Sequence, residues 1–151
     1  MPIPDLDAYG LLPSGAHACT VAELRARFAF NGHRRALLRR LCRFIRAELR
    51  PLAFACPLYV DGSYVRKKVQ PSDVDVVLDV ERASLEHKLA ALKLFFERPR
   101  LKSDHRVDFW IRLPGVMPND LALFFQYLGD KAAAELGLKE TWPKGILRID
   151  L

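Results

Sequence analysis

Residues 59–80 read YVDGSYVRKKVQPSDVDVVLDV: a short apolar strand, a Gly-Ser turn, a basic stretch, and then Asp73 and Asp75 alternating with valines. Successive side chains of a strand point to opposite faces of the sheet, so the two aspartates are expected on one face and the valines on the other. Two ionised carboxylates this close repel each other unless a proton or a cation lies between them, and their oxygens suit Mg2+ or Mn2+. The stretch predicts a metal site.

A phosphate site is predicted at the turn that precedes these aspartates. Gly62 and Ser63 follow a strand and are expected to open a short helix, whose unpaired backbone N–H groups and positive dipole end would face one point. Glycine lets a phosphate approach the backbone closely, Ser63 adds a hydroxyl donor, and Arg66 can add a bidentate guanidinium one turn later. A Gly-Ser pair is also common in ordinary turns, and that interpretation stays open.

A third acid, Asp108, lies in the alternating segment VDFWI of residues 107–111. It is expected on the face opposite Val107, Phe109 and Ile111, so that three acids from two strands converge. A carboxylate in an apolar strand needs a metal ion, a hydrogen bond or open solvent. The alternative is that all three acids point outward at a sheet edge.

The remaining patterns predict strands and helices around this segment. Strands are predicted at 57–61, 73–80 and 105–113, and the terminal GILRIDL alternates like an edge strand. Helices are predicted at 21–28 behind a Thr20–Glu23 capping box, from Asn31 to before Pro51, at 84–97, from about Asn119 toward Leu128, and over 130–137. In the 84–97 helix, which Pro99 is expected to close, an apolar stripe on one face consists of Leu85, Leu89, Leu92 and Phe96. Phe96 and Phe124 are expected to be packing residues.

Composition places further bounds on the chain. Its 151 residues are typical of one domain, no run of eighteen apolar residues predicts a membrane span, and no secretory signal is visible, so a cytoplasmic protein is expected. Three widely spaced cysteines argue against a disulfide framework or a zinc site. The net charge of +6 favours polyanions, and arginines crowd the second helix. That basic face is either a phosphate or nucleic-acid surface or simply a solvated one.

The turn and the three acids together resemble the signature of the DNA polymerase β-type nucleotidyltransferase superfamily. That signature is an apolar residue, Gly, Gly or Ser, about nine to thirteen residues, acid-apolar-acid-apolar, and a later third acid. Here it corresponds to Gly62-Ser63, Asp73-Val74-Asp75-Val76 and Asp108. Arg66 resembles the arginine of the GSxxR form of minimal bacterial members. The flanks LPSGAHACTVAELRARFAFNGHRRALL and KGILRI resemble those of small, uncharacterised bacterial proteins of this fold.

The resemblance implies an α+β (α/β-like) nucleotidyltransferase fold: a small mixed β-sheet with helices packed on it and extra N-terminal helices. It covers residues 57–112 most specifically, within one domain of residues 1–151. It implies that Asp73 and Asp75 bind the ion that carries the triphosphate, while Asp108 helps to hold a second Mg2+ or Mn2+ or accepts the proton of the attacking hydroxyl.

The same resemblance implies that Gly62, Ser63 and Arg66 hold the β- and γ-phosphates of an NTP. The expected function is metal-dependent transfer of NMP, with AMP from ATP as the preferred case, to a protein or RNA hydroxyl with release of pyrophosphate. Asp61 departs from the pattern, because an apolar or aromatic residue is usual there; it could point at solvent or weaken phosphate binding. Lys67, Lys68 and Arg66 could offset its charge.

Two other functions remain open at this stage. One is a non-catalytic module of the same fold that binds a protein or RNA partner, for instance as one component of a toxin–antitoxin pair. The other is a metal-dependent phosphodiesterase that uses the same acids with water as the nucleophile. Neither alternative involves a membrane. Transfer leaves a nucleotide on a macromolecule, whereas hydrolysis releases a free mononucleotide.

Overall fold

The computed structural model describes residues 2–151, in which one mixed, open sheet of five strands carries helices. The strand order is β1-β5-β2-β3-β4. The strands are β1 (Gly15–Ala18), β2 (Pro57–Asp61), β3 (Val74–Asp79), β4 (Val107–Arg112) and β5 (Gly145–Asp150). The helices are α1 (Val21–Phe28), α2 (Gly32–Phe44), α3 (Leu85–Phe96), α4 (Arg98–His105), α5 (Leu121–Phe124) and α6 (Asp130–Leu136). The predicted mixed sheet with packed helices, two of them ahead of the Gly-Ser turn, is confirmed.

The strands that carry the predicted acids are neighbours in this sheet. Strand β2 pairs antiparallel with β3, and β3 pairs parallel with β4. A parallel pair needs a crossover connection, and α3 and α4 supply it. The prediction of a helix between these two strands is confirmed, although the crossover contains a second helix, α4, that the sequence did not suggest. Pro99 was expected to end α3, but it lies in the first turn of α4, where a missing N–H costs little.

Helices α1 and α2 begin where their capping residues predict. Thr20 and Glu23 form the reciprocal capping box, with Thr20 N donating to Glu23 Oε2 at 2.7 Å. Asn31 Oδ1 accepts from Arg34 N at 2.8 Å and caps α2. The α-helix ends at Phe44, earlier than the predicted end before Pro51. The chain continues as a π-helical turn (Ile45–Leu49) and a 3-10 turn (Arg50–Leu52), which contains Pro51.

The C-terminal strand is not an edge strand. β5 lies between β1, to which it is parallel, and β2, to which it is antiparallel. Its apolar side chains are buried on both faces, including Ile146 and Leu147 at 0% exposure. The misjudged position follows from the missed strand β1, whose sequence GAHA has too little apolar side chain to alternate visibly.

The apolar stripe of α3 faces solvent rather than the core. Leu85, Leu89 and Phe96 are 72%, 57% and 79% exposed, while Ala91 and Leu94 on another side of the helix are buried. The expectation that Phe96 is a packing residue is therefore wrong. The helix LEHKLAALKLFF is apolar around most of its circumference, so its periodicity does not select one face.

The segment after β4 contains less helix than predicted. Instead of a helix from Asn119 to Leu128, only Leu121–Phe124 is helical, because Leu128 N donates to Trp142 O at 2.9 Å and the chain turns to run beside residues 142–144. Helix α6 confirms the prediction for 130–137 and ends at Gly137, which adopts φ 68°. None of the helices within residues 2–151 has the length and apolarity needed to cross a membrane.

Candidate active site

Three aspartates stand side by side on neighbouring strands. Asp75 of β3 is the register partner of Asp61 on β2 and of Asp108 on β4. Directly paired residues share a face of the sheet, so the three carboxylates form a row across it. Asp73 ends the loop just before β3 and lies close enough to act on the charge of Asp75. The structure thus brings together the three predicted acids and adds Asp61, which the sequence analysis treated as a departure.

Asp75 is a carboxylate whose ionised form is strongly disfavoured by its surroundings. Burial and, after it, the nearby charges of Asp73, Asp61 and Asp108 together raise its pKa to about 8, while Lys102 opposes them. Within residues 2–151, no cation lies within ion-pair distance of Asp75, so little offsets the repulsion. At neutral pH Asp75 is therefore mostly protonated in the absence of a cation.

The other three carboxylates each pair with a cation. Lys102 Nζ lies 3.1 Å from Asp73 Oδ2, and Arg98 Nη2 lies 2.8 Å from Asp108 Oδ1. Arg98 and Lys102 are four residues apart on α4, so one face of that helix presents both cations to the acids. The Arg98 guanidinium also stacks on the Trp110 ring, 3.5 Å from its centroid.

Asp61 is fully buried and ion-paired with Lys144, so the expectation that it could point at solvent is wrong. Burial raises its pKa, and Lys144 opposes that rise. One carboxylate oxygen, Oδ2, is buried without a hydrogen-bond partner in the structure. An unpartnered buried oxygen costs free energy and is therefore a position where a bound ligand would be stabilised.

The glycine of the turn is required by Asp75 itself. Gly62 adopts φ 72°, and a Cβ built there would overlap Asp75 Oδ2 and lie 2.7 Å from Asp75 Cγ. The turn Gly62–Val65 is a single 3-10 turn rather than the opening of an α-helix. Ser63 lies in this turn on the wall of the cleft described below.

Arg66 is buried and already bound to a carboxylate. Its Nη2 lies 2.6 Å from Glu135 Oε2, and Lys68 Nζ lies 3.2 Å from Glu135 Oε1. The two cations, Arg66 most strongly, hold the pKa of Glu135 below its usual range. A phosphate at this position would compete with Glu135 of α6 for Arg66.

A cleft of about 410 Å³ joins these groups. Its walls include five of the six predicted site residues: Gly62, Ser63, Arg66, Asp73 and Asp75; Asp108 is not part of its lining. The opposite wall comes from residues 124–132 and presents aromatic side chains, among them Phe124 and Tyr127 at 59% and 47% exposure. The expectation that Phe124 is a packing residue is therefore wrong.

A larger cavity of about 600 Å³ lies elsewhere, between α1, the π-helical turn and the end of β5. No predicted site residue lines it. The only carboxylates on its wall are those of Glu23 and Asp150, and Glu23 is engaged in the α1 capping box. The smaller cleft holds the clustered acids and cations and is therefore the candidate site.

A family model named "Family of unknown function (DUF6932)" matches residues 4–150. The chain belongs to this family. No curated protein and no solved structure matches the chain. The match extends over the N-terminal helices, the acid strands and β5, so the family is defined over the whole of the architecture that surrounds the cleft.

The acids of the cleft fit a divalent cation by their chemistry. They offer hard carboxylate oxygens, and the repulsion around Asp75 is of the kind that a bound cation relieves. Within residues 2–151, however, no three His, Cys, Asp or Glu side chains are arranged to hold a metal ion as they stand. Asp73 and Asp108 are instead engaged by Lys102 and Arg98. Metal binding would require those ion pairs to open, and the Mg2+ or Mn2+ site stays a prediction.

Proposed function

We propose that the protein is a metal-dependent nucleotidyltransferase that transfers NMP, with AMP as the preferred case, from an NTP to a protein or RNA hydroxyl. The observation that carries the proposal is that Asp73, Asp75 and the Gly62 turn line one cleft, while Asp108 is the register partner of Asp75 on the neighbouring strand. This is the arrangement that the resemblance to the DNA polymerase β-type superfamily implies. Fold resemblance alone would not suffice, because function depends on the site.

The chain's own residues divide the work of such a transfer. Asp73 and Asp75 would hold the triphosphate end of the substrate through a shared divalent cation, which would supply positive charge to the phosphates. Asp108, the register partner of Asp75, would help to hold a second cation that lowers the pKa of the attacking hydroxyl, or would itself accept the hydroxyl proton.

The phosphates would be held by the turn and the basic loop. Ser63 offers a hydroxyl, and Arg66 and Lys68 offer cations that Glu135 now occupies. The acceptor oxygen forms its bond to the α-phosphorus, the bond from that phosphorus to the bridging oxygen breaks, and pyrophosphate leaves with both electrons of that bond. No covalent enzyme intermediate is needed.

Radioactive transfer tests the proposal. The purified protein is incubated with each [α-32P]NTP, Mg2+ and bacterial protein and RNA fractions; the proposal expects label on a macromolecule with the wild type and none with Asp73→Asn/Asp75→Asn. Asp79→Asn is the matched control, because Asp79 lies on the same strand but outside the cleft. Free labelled NMP with no label on a macromolecule would indicate phosphodiesterase activity instead of transfer.

A non-catalytic binding module is the second candidate, and one observation favours it. The ion pairs Lys102–Asp73 and Arg98–Asp108 neutralise two acids without any metal ion. In that case neither Mg2+ nor an NTP would alter thermal stability. Ligand binding at a functioning site raises the free energy of unfolding by about 2.7 kcal/mol when the ligand concentration is about a hundred times Kd. Absence of a thermal shift and of label would count against the transferase and favour the module, for which a protein or RNA partner, for instance of the toxin–antitoxin kind, is the proposed ligand.

A further inference from the structure

The exposed stripe of α3 is an unusual surface for a folded domain. Leu85, Leu89 and Phe96 are each more than half exposed, and Leu92 between them is only partly buried. Single exposed apolar residues are common, but a continuous apolar line along a helix marks an interaction surface. None of these residues lines the candidate active site.

The spacing of the stripe is that of a helix–helix seam. Residues 85, 89, 92 and 96 are separated by four, three and four positions, which places them along one side of the helix as the a and d positions of a coiled coil. In an antiparallel pair of such helices, Leu85 would meet Phe96 of a second copy and Leu89 would meet Leu92. The two helices, each about 18 Å long, would then form four apolar layers between them.

The charges beside the stripe complement a second copy in one orientation only. Glu86 and Lys93 are exposed and lie on the same flank, each directly after an apolar seam residue. Antiparallel packing brings equal flanks together, so Glu86 would face Lys93 of the second copy, and the twofold axis repeats the pair. Parallel packing would instead bring Lys88 against Lys93, two like charges, on both sides of the seam.

We infer that α3 is a homodimerisation surface, on which two copies of the chain pack their α3 helices antiparallel about a twofold axis. The occupant is a second copy because the stripe and its flank are self-complementary: the same four apolar residues and the same Glu86 and Lys93 satisfy both sides. The dimer seam and the candidate active site share no residue, because α3 contributes none to the cleft lining.

Sedimentation velocity over protein concentrations from about 1 µM to about 1 mM tests the inference, a range that covers the affinities of small interfaces. The wild type is expected to shift from monomer to dimer, and Leu89→Asp to remain monomeric. Leu123→Asp is the matched control, because Leu123 is 54% exposed and belongs to a different helix, α5, so this variant should dimerise as the wild type does. Far-UV circular dichroism verifies that each variant is folded.

A charge exchange tests the orientation. Glu86→Lys and Lys93→Glu are each expected to weaken the dimer about tenfold, since two symmetry-related pairs are lost and replaced by like charges. The double variant Glu86→Lys/Lys93→Glu should recover the wild-type affinity. A wild type that stays monomeric throughout, a dimer indifferent to Leu89→Asp, or a double variant as weak as the single ones would each overturn the inference. The outcome is independent of NTP binding and label transfer, so it does not depend on the proposed function.

Discussion

Replacing Asp75 by asparagine should stabilise the folded protein at neutral pH. In the folded state burial and three nearby carboxylates raise the pKa of Asp75 from 3.8 to about 8. The folded state therefore binds this proton more tightly than the unfolded state does. The stability that the protonated group contributes is fully present below pH 3.8 and is lost as the pH rises toward 8.

The magnitude follows from the size of this shift. One pKa unit corresponds to about 1.36 kcal/mol, so at pH 7 the carboxylate costs at most about 4 kcal/mol of unfolding free energy. Because the cleft admits water, which moderates the penalty, we expect Asp75→Asn to stabilise by about 2 to 4 kcal/mol. For a chain of this size that corresponds to a Tm higher by roughly 5 to 15 °C. Asparagine keeps the size of the side chain and removes only its ionisation.

Urea denaturation of both proteins across the pH range 4 to 8, without divalent cations, measures the effect. The difference between variant and wild type should be near zero at pH 4, where Asp75 is protonated in the folded protein, and should grow steadily toward pH 8. Asp79→Asn, on the same strand but paired with Arg112, controls for the general loss of an acid. A difference that does not change with pH, or a variant less stable than the wild type at pH 8, would refute the electrostatic account of this cleft.

Three further predictions concern the surroundings of Asp75. Gly62→Ala should destabilise by about 3 kcal/mol or more, because it adds a steric clash to a left-handed backbone. Gly137→Ala, at φ 68° in the left-handed region with open space around it, should cost only about 1 kcal/mol. Equal losses in urea denaturation would contradict the clash. Arg34→Met should lower the free energy of unfolding by about 3 kcal/mol or more in the same assay, because the fully buried guanidinium donates to three backbone carbonyls. A loss below about 1 kcal/mol would show that water replaces the guanidinium as the donor. Glu135→Gln should free Arg66 and tighten the binding of inorganic tripolyphosphate several-fold in calorimetry, and an unchanged affinity would place the phosphates elsewhere.

The parts of the fold that the sequence predicts are those decided by neighbours along the chain. Alternation within residues 73–79 and 107–112 identifies two strands, and Thr20 and Asn31 cap their helices through contacts three residues away. The position of β5 inside the sheet, between β1 and β2, depends on β1, more than a hundred residues earlier, and nothing local to GILRIDL carries that information. The buried face of α3 is not predictable for the opposite reason, since the helix has several apolar faces and only the packed structure selects one of them.

The same division holds for the candidate site. The row of acids was foreseeable, because strand periodicity fixes the face of Asp73 and Asp75 and suggests that of Asp108. Their counter-ions were not, since Lys144 lies 83 residues from Asp61 along the chain and Lys102 meets Asp73 only through the unpredicted helix α4. A signal did exist in the four-residue spacing of Arg98 and Lys102, but it requires knowing that these residues are helical.

The counter-ions determine how any ligand must enter the cleft. With Asp75 protonated, the remaining acids are matched one for one by Lys144, Lys102 and Arg98, so the cleft is close to neutral before a ligand binds. A free divalent cation would have to displace the two α4 cations, and a free phosphate would find those cations occupied. A nucleotide that carries its own cation removes both obstacles together, because the cation engages the carboxylates while the phosphates receive the released lysine and arginine. On the proposed function, cation and triphosphate would therefore each strengthen the binding of the other, and the ion pairs of α4 would be the physical origin of that coupling.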